Sequence, residues 1–265
     1  MRNPCASVWG TYEKDPLSHR PDVHGFGLCP PSTVPPADSA DRWQAFVARS
    51  GAVKEAPYLL NASLRFGTEG DTRRVTALLW GNDSRSLRMD VMAGIGAVVA
   101  KIWESGDEFL VYSPTENRAF FHQGSNKPLL RVGVPVPFAL DELAALLNGR
   151  LVTVFGDRYS DSQALANGHV GFTLSSAVGG LLEIDAQGQA VAWQENGSRG
   201  WSMAIAYDEA GLPRRVSLRH PDGQTAVLLV KERQAPAPFN NEQLSLLLPD
   251  STPVLPLERY TAPQQ

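Results

Sequence analysis

No stretch of this chain approaches the roughly eighteen continuous apolar residues that a membrane-spanning helix requires, and the first forty residues lack the apolar run of a secretory signal. Two addresses remain: the cytosol, or a compartment reached through a signal upstream of Met1. Cysteine is scarce. Cys5 and Cys29 are the whole complement, and they lack the Cys-x-x-Cys spacing of a redox or zinc site. A bridge between them would contribute about 3 kcal/mol through loop closure, and two free thiols in a reducing compartment fit the sequence equally. A basic excess is also missing. With 24 Lys and Arg against 28 Asp and Glu, the formal net charge is -4, so no nucleic-acid partner is expected. Short pairs such as Arg73-Arg74 and Arg214-Arg215 read as solvated strand faces.

Catalytic signatures are absent as well. The chain has neither a Gly-x-Ser-x-Gly elbow nor a His-Glu-x-x-His pair. His122, His169 and His220 are far apart, with no nucleophile placed beside them, and Glu183 and Asp185 read as solvated positions on a strand. "SHRPDVHGFGLC" brings His19, Asp22, His24 and Cys29 close together, but in a Pro-rich irregular segment this reads as coincidence rather than a metal site. No catalytic residue, metal ligand or cofactor is assigned.

Hydrophobic residues make up 43% of the 265 positions, enough for one sizeable core. Thirteen of the 20 prolines fall in residues 1–40 and 233–265, which divides the chain into a Pro-rich N-terminal extension (1–40), a folded body (41–232) and a Pro-rich C-terminal tail (233–265). The tail segment "LLLPDSTPVLPLERY" holds enough Leu and Val to dock on the body.

The body opens with a helix capped at Asp38 or Ser39, with Trp43, Phe46 and Val47 on one face and Gly51 at its end. From Tyr58 the pattern alternates. "YLLNASLRF", "TRRVTALLW" and "SLRMDVM" read as strands joined by turns, and "AVVAKIW", "DEFLVYS" and "NRAFFHQ" continue the meander. Within it, Gly94-x-Gly96 resembles part of a dinucleotide fingerprint, which needs a parallel strand before it and a helix after it. Strands on both sides make "AGIG" a hairpin tip instead. Ile95 stands where Asn-Gly or Asp-Gly would be ordinary, so it either folds back onto the body or forms an exposed apolar tip.

"VPVPFALDELAALLNGRL" predicts a helix started by Pro137, with Leu140, Leu143, Ala144 and Leu147 on one apolar face and Gly149 closing it. A weaker helix is expected from Ser160, with Gln163 completing a capping box. Strands then resume through "GLLEIDAQG", "GWSMAIAYDE", "RRVSLRH" and "QTAVLLVKE".

This order of pieces, with "VPFALDELAALLNGR" and "GWSMAIAYDEAGLPRRVSLRH" as its most telling stretches, resembles the LolA and LolB type of bacterial outer-membrane lipoprotein carriers over roughly residues 41–232. The resemblance implies an α+β, mainly β fold: an incomplete antiparallel β-barrel, a curved sheet covering a few helices, with an apolar cavity for acyl chains. Leu64, Leu79, Met89, Ile102, Phe121, Trp201 and Met203 are the candidate lining residues, and they serve equally well as a packed core. Ile95 matches the apolar hairpin tip that meets the membrane in LolB-like proteins. Cys5 lacks the residues that precede a lipidation cysteine, so an acylated cysteine is expected upstream of Met1. The implied function is a non-enzymatic periplasmic lipoprotein, anchored at the outer membrane, whose partners are acyl chains or lipidated proteins and the outer-membrane surface. An envelope scaffold that holds a protein partner is the first alternative, and a hydrolase with an unrecognised site the second.

Overall fold

The computed structural model describes residues 36–82, 86–124 and 127–260. Cys5, Cys29 and the His19, Asp22, His24 group lie outside them. The described chain opens with α1 (Pro36–Gly51), followed by a six-strand meander: β1 (Tyr58–Thr68), β2 (Asp71–Gly81), β3 (Leu87–Ala93), β4 (Ala97–Ser105), β5 (Glu108–Ser113) and β6 (Arg118–Gln123). A helical segment follows, with α2 (Pro128–Arg131), α3 (Leu140–Leu147) and α4 (Leu151–Phe155). The second meander runs through β7 (Tyr159–Ala164), β8 (Val170–Leu174), β9 (Leu181–Ile184), β10 (Ala190–Gln194), β11 (Ser202–Tyr207), β12 (Pro213–Arg219) and β13 (Thr225–Gln234). The tail adds α5 (Asn241–Leu244), β14 (Val254–Pro256) and a short 3-10 turn at Leu257–Arg259.

All fourteen strands form one curved, unclosed sheet in the order β14-β6-β5-β4-β3-β2-β1-β13-β12-β11-β10-β9-β8-β7. Pairing is antiparallel except at β14 and β6, which run parallel. The long β1–β13 ladder, Leu59↔Gln234 through Gly67↔Thr225, joins the two meanders. Register shifts interrupt pairings such as β1–β13, β3–β4 and β11–β12, and such bulges bend strands and increase their twist. The inward residues of β1 show the alternation: Tyr58, Leu60, Ala62 and Leu64 are buried while their neighbours are not.

The hollow of the sheet holds residues of α1, α2, α3 and α4. Leu140, Leu143, Ala144, Ala145, Leu146 and Leu147 of α3 are all buried, so this helix is apolar nearly all round rather than on one face. A helix of that kind belongs in the middle of a fold, and α3 lies in one continuous core with the inward side chains of the sheet. It begins at Leu140, three residues after Pro137, because Glu104 of β4 accepts from the Leu140 and Asp141 amides at 3.1 and 2.8 Å. Helix α1 is anchored by Trp43, whose ring lies 5.1 Å from Phe46, 4.9 Å from Tyr159 and 5.1 Å from Phe172. Its indole also donates to the Asp157 carbonyl at 3.0 Å. Beneath α1, Gly188 has φ +74 and sits so close that a Cβ there would lie 2.6 Å from the Ala45 Cβ.

The helix expected from Ser160 is instead strand β7. Its backbone pairs with β8 from Tyr159↔Leu174 to Ala164↔Val170, and Tyr159 packs on Trp43 and Phe172. Tertiary pairing overrides a local capping pattern here, and the polar sequence suits an edge strand, where charges discourage pairing with another chain.

The tail is docked. Asn82 pairs with the Phe239 backbone in both directions at 2.7 Å, Trp80 donates to the Gln243 carbonyl at 3.1 Å, and Arg88 donates to the Ser245 carbonyl. It then adds β14 to the β6 edge, buries Leu257 and sets Tyr260 edge-on to Phe120 at 5.0 Å. Among the described residues, no helix is long and apolar enough to cross a membrane.

Candidate functional site

The β3–β4 hairpin turns through Gly94, Ile95 and Gly96, closed by the Ala93↔Ala97 pair and by the Gly96 amide donating to the Ala93 carbonyl at 3.2 Å. Gly94 and Gly96 have φ of +57 and +102, a region that favours glycine, so the turn needs no Asn or Asp and leaves its middle position unconstrained. Ile95 is fully exposed, and it does not fold back onto the body. Leaving such a side chain in water forgoes about 1.5–3 kcal/mol of burial. A register shift between Val91 and Met92 bends the hairpin just behind the tip.

Leu64, Leu79, Met89, Ile102, Trp201 and Met203 all point inward and are 1–5% exposed, within the core shared with α3 and α4. Leu79 pairs with Met89, and Met89 with Ile102, so these three form a row across β2, β3 and β4. Leu64 stands on the adjoining β1, while Met203 pairs with Trp193 and Leu218 on the other arm. Trp201 lies 5.0 Å from the His220 ring. The inner wall is therefore apolar and covered by the protein's own helical segment. Phe121 does not belong with the other six. It pairs with Leu110 on the face opposite Phe120 and His122 and is only half-buried, beside β14. Two adjacent phenylalanines in "RAFFHQ" leave the phase of alternation open, and here the first one faces in.

Glu104 is the site residue that the sequence reading passed over. Only 5% exposed, it sits at the inward phase of β4 two residues after Ile102, and that phase was the available signal. Burial pushes its carboxyl up to about 7, with the charge of Asp141 adding to the rise, while the Leu140 and Asp141 amides pull the other way. Its role is to cap α3.

The three described histidines each face a carboxylate: His122 with Glu258 at 3.5 Å, His169 with Glu183 at 2.5 Å, and His220 with Asp222 at 2.7 Å. Glu183, read as solvated, also accepts from the Asn167 side chain at 2.6 Å. Among the described residues, no serine or threonine hydroxyl hydrogen bonds to these rings, and no group of three or more His, Cys, Asp or Glu side chains is placed to hold a metal.

No family model and no curated protein matches the sequence. Solved structures do. A LolA superfamily protein from Nitrosomonas europaea, NE2245, is similar over 77% of this chain and 97% of its own, at 10% identity and a TM-score of 0.55. A DUF1329 family protein from Desulfovibrio piger is similar over 78% and 96%, at 12% identity and a TM-score of 0.52. A domain described as an outer membrane lipoprotein-sorting protein, from Vibrio parahaemolyticus, is similar over 78% and 94%, at 9% identity and a TM-score of 0.50. At these identities the likeness is one of fold, and the described chain is a LolA-like incomplete β-barrel.

Proposed function

We propose that this protein is a non-enzymatic periplasmic lipoprotein that works at the outer-membrane surface, meets the bilayer through Ile95, and binds acyl chains or the lipidated termini of other proteins. The observation that carries this reading is the fully exposed isoleucine at the tip of a glycine turn in a LolA-like half-barrel. Leu64, Leu79, Met89, Ile102, Trp201 and Met203 would form the acyl-facing wall, reached by displacement of the α2–α4 segment. Burying an acyl chain of about fourteen methylenes is worth on the order of 11 kcal/mol, which is comparable to burying the four leucines of α3 at about 1.5–3 kcal/mol each. Cargo and helix then compete for one apolar wall on nearly equal terms, and release follows when the helix returns.

Native mass spectrometry of the purified protein, followed by titration with a fluorescent acyl probe, tests this. Saturable binding that weakens in Leu79→Glu and Met203→Glu variants with wild-type circular dichroism supports it. The second reading, a scaffold that holds a protein partner on its surface, draws on the helix-filled interior. Absence of bound lipid and of saturation selects it.

A further inference from the structure

On the face of the sheet opposite the core, β2, β1, β13, β12 and β11 lie side by side and form an open groove of about 1080 Å³. Arg65, Arg74, Arg215 and Arg219 line it, Arg73, at the inward phase of β2 opposite Phe66, reaches its rim, and no carboxylate lines it. All five are exposed. Register explains the crowding: Arg65 is directly opposite Arg74, Arg215 pairs with Leu229 two positions along β13 from Val227, the partner of Arg65, and Arg219 pairs with Thr225.

Like charges directly opposite each other destabilise an antiparallel pair, and nothing in the fold neutralises these. Arg65 donates to Thr72 Oγ1 at 3.0 Å, Arg74 to Ser63 Oγ at 2.9 Å and Arg215 to Ser217 Oγ at 3.3 Å. These hydroxyls satisfy a minority of the five donors that each guanidinium carries. Among the described residues none of the five has a carboxylate partner, whereas Arg42, Arg88 and Arg233 elsewhere are paired with Asp38, Asp90 and Asp208. Glu69 and Asp222, in turns at the end of the groove, and Asp71, the first residue of β2, do not line it.

We infer that this groove is a binding surface for the phosphate groups of anionic lipid headgroups, at the membrane that Ile95 meets. The inference rests on the membrane-docking reading above. Thr76 of β2 pairs with Met92 of β3, so Arg74 and Arg73, two and three residues further along, stand level with the Gly94–Gly96 tip. At about 3.4 Å per residue, the tip and the arginines can engage one leaflet together, the isoleucine among acyl chains and the guanidiniums on phosphates, which they bind in bidentate fashion. Ala204, Val227 and Leu229 give the groove an apolar floor between the charged rows, suited to the glycerol and upper acyl part of a lipid.

The test is flotation of the full chain with phosphatidylcholine vesicles, with and without phosphatidylglycerol. Wild type binds the anionic vesicles more tightly, and the excess shrinks with salt. At about fivefold per arginine near an anionic surface, the double variant R65Q/R74Q loses about 25-fold of that preference, R215Q/R219Q loses a similar amount, and R214Q, outside the groove, keeps it. Ile95→Ser, which removes the apolar side chain without adding charge, weakens binding to both vesicle types and leaves their ratio intact. An unchanged ratio in both double variants, with binding lost in Ile95→Ser, overturns the groove and leaves the docking reading standing. A ratio lost in the double variants with Ile95→Ser silent overturns the docking role of Ile95 and keeps the groove. Tighter arginine-dependent binding of a polyglutamate peptide, or of soluble glycerol phosphate without vesicle preference, overturns the assignment to a lipid surface.

Discussion

Glu104 makes a quantitative claim. Its carboxyl, 5% exposed and aimed at the first two amides of α3, is pushed up from 4.5 to about 7 chiefly by burial. Because the folded value lies above the unfolded one, the folded protein holds this proton more tightly than the unfolded chain does. The stability it contributes is full below about pH 4.5 and is lost as pH rises through about 7. Between pH 5.5 and pH 8 the loss is about 2 kcal/mol at 1.36 kcal/mol per pH unit. Glu142, also raised first by burial, acts in the same direction in any variant and cancels in a comparison. Glu104→Gln stays neutral at every pH and keeps one acceptor for two amides. It is expected to be about 1 kcal/mol less stable than wild type at pH 5.5 and about 1 kcal/mol more stable at pH 8. Urea unfolding of both proteins at the two pH values measures this crossover. An equal difference between them at pH 5.5 and pH 8 refutes a protonated, buried Glu104.

Gly188→Ala places a methyl 2.6 Å from the Ala45 Cβ at φ +74, so a loss of about 1–3 kcal/mol is expected, read as a lower midpoint in thermal unfolding; an unchanged midpoint shows that α1 shifts freely. Trp43→Ala removes a ring contacting Phe46, Tyr159 and Phe172 and is expected to cost about 3–5 kcal/mol; a loss under 1 kcal/mol in denaturant titration would separate α1 from the core. Asn82→Ala deletes both hydrogen bonds to Phe239, and amide exchange in residues 239–245 is expected to accelerate while that of β1 and β13 holds.

Strands β1 and β3 of the first meander were legible because their inward positions alternate without interruption. Tyr58, Leu60, Ala62 and Leu64 in one strand and Leu87, Met89 and Val91 in another are buried as their spacing requires. Residues 160–163 were not legible, since a capping pattern and a polar edge strand look alike until β8 supplies hydrogen-bond partners. The surroundings of α3 were hidden for a related reason. Its composition places one apolar face, but only a sheet that curves around it buries Ala145 and Leu146 as well. The tail could be expected to dock from its leucines, yet its course over Trp80 and Arg88 depends on two outward side chains that alternation assigns to solvent.

Legibility of the site depends on sequence distance. Ile95 could be singled out because everything that exposes it, two glycines and two flanking strands, lies within a dozen residues. The arginine groove could not. Arg65 and Arg74 are near in sequence, but Arg215 and Arg219 reach them only through the β1–β13 ladder, whose partners Arg65 and Val227 stand at opposite ends of the folded body. Each arginine taken singly fits a solvated strand face, and that reading is correct for each. What single positions cannot reveal is that four of them share one face, with Arg73 at its rim and no acid lining the groove, in a chain whose net charge is -4. In a chain whose acids slightly outnumber its bases, a cluster of arginines without carboxylate partners is a local exception. Its field would direct an anion to the β3–β4 tip side of the sheet.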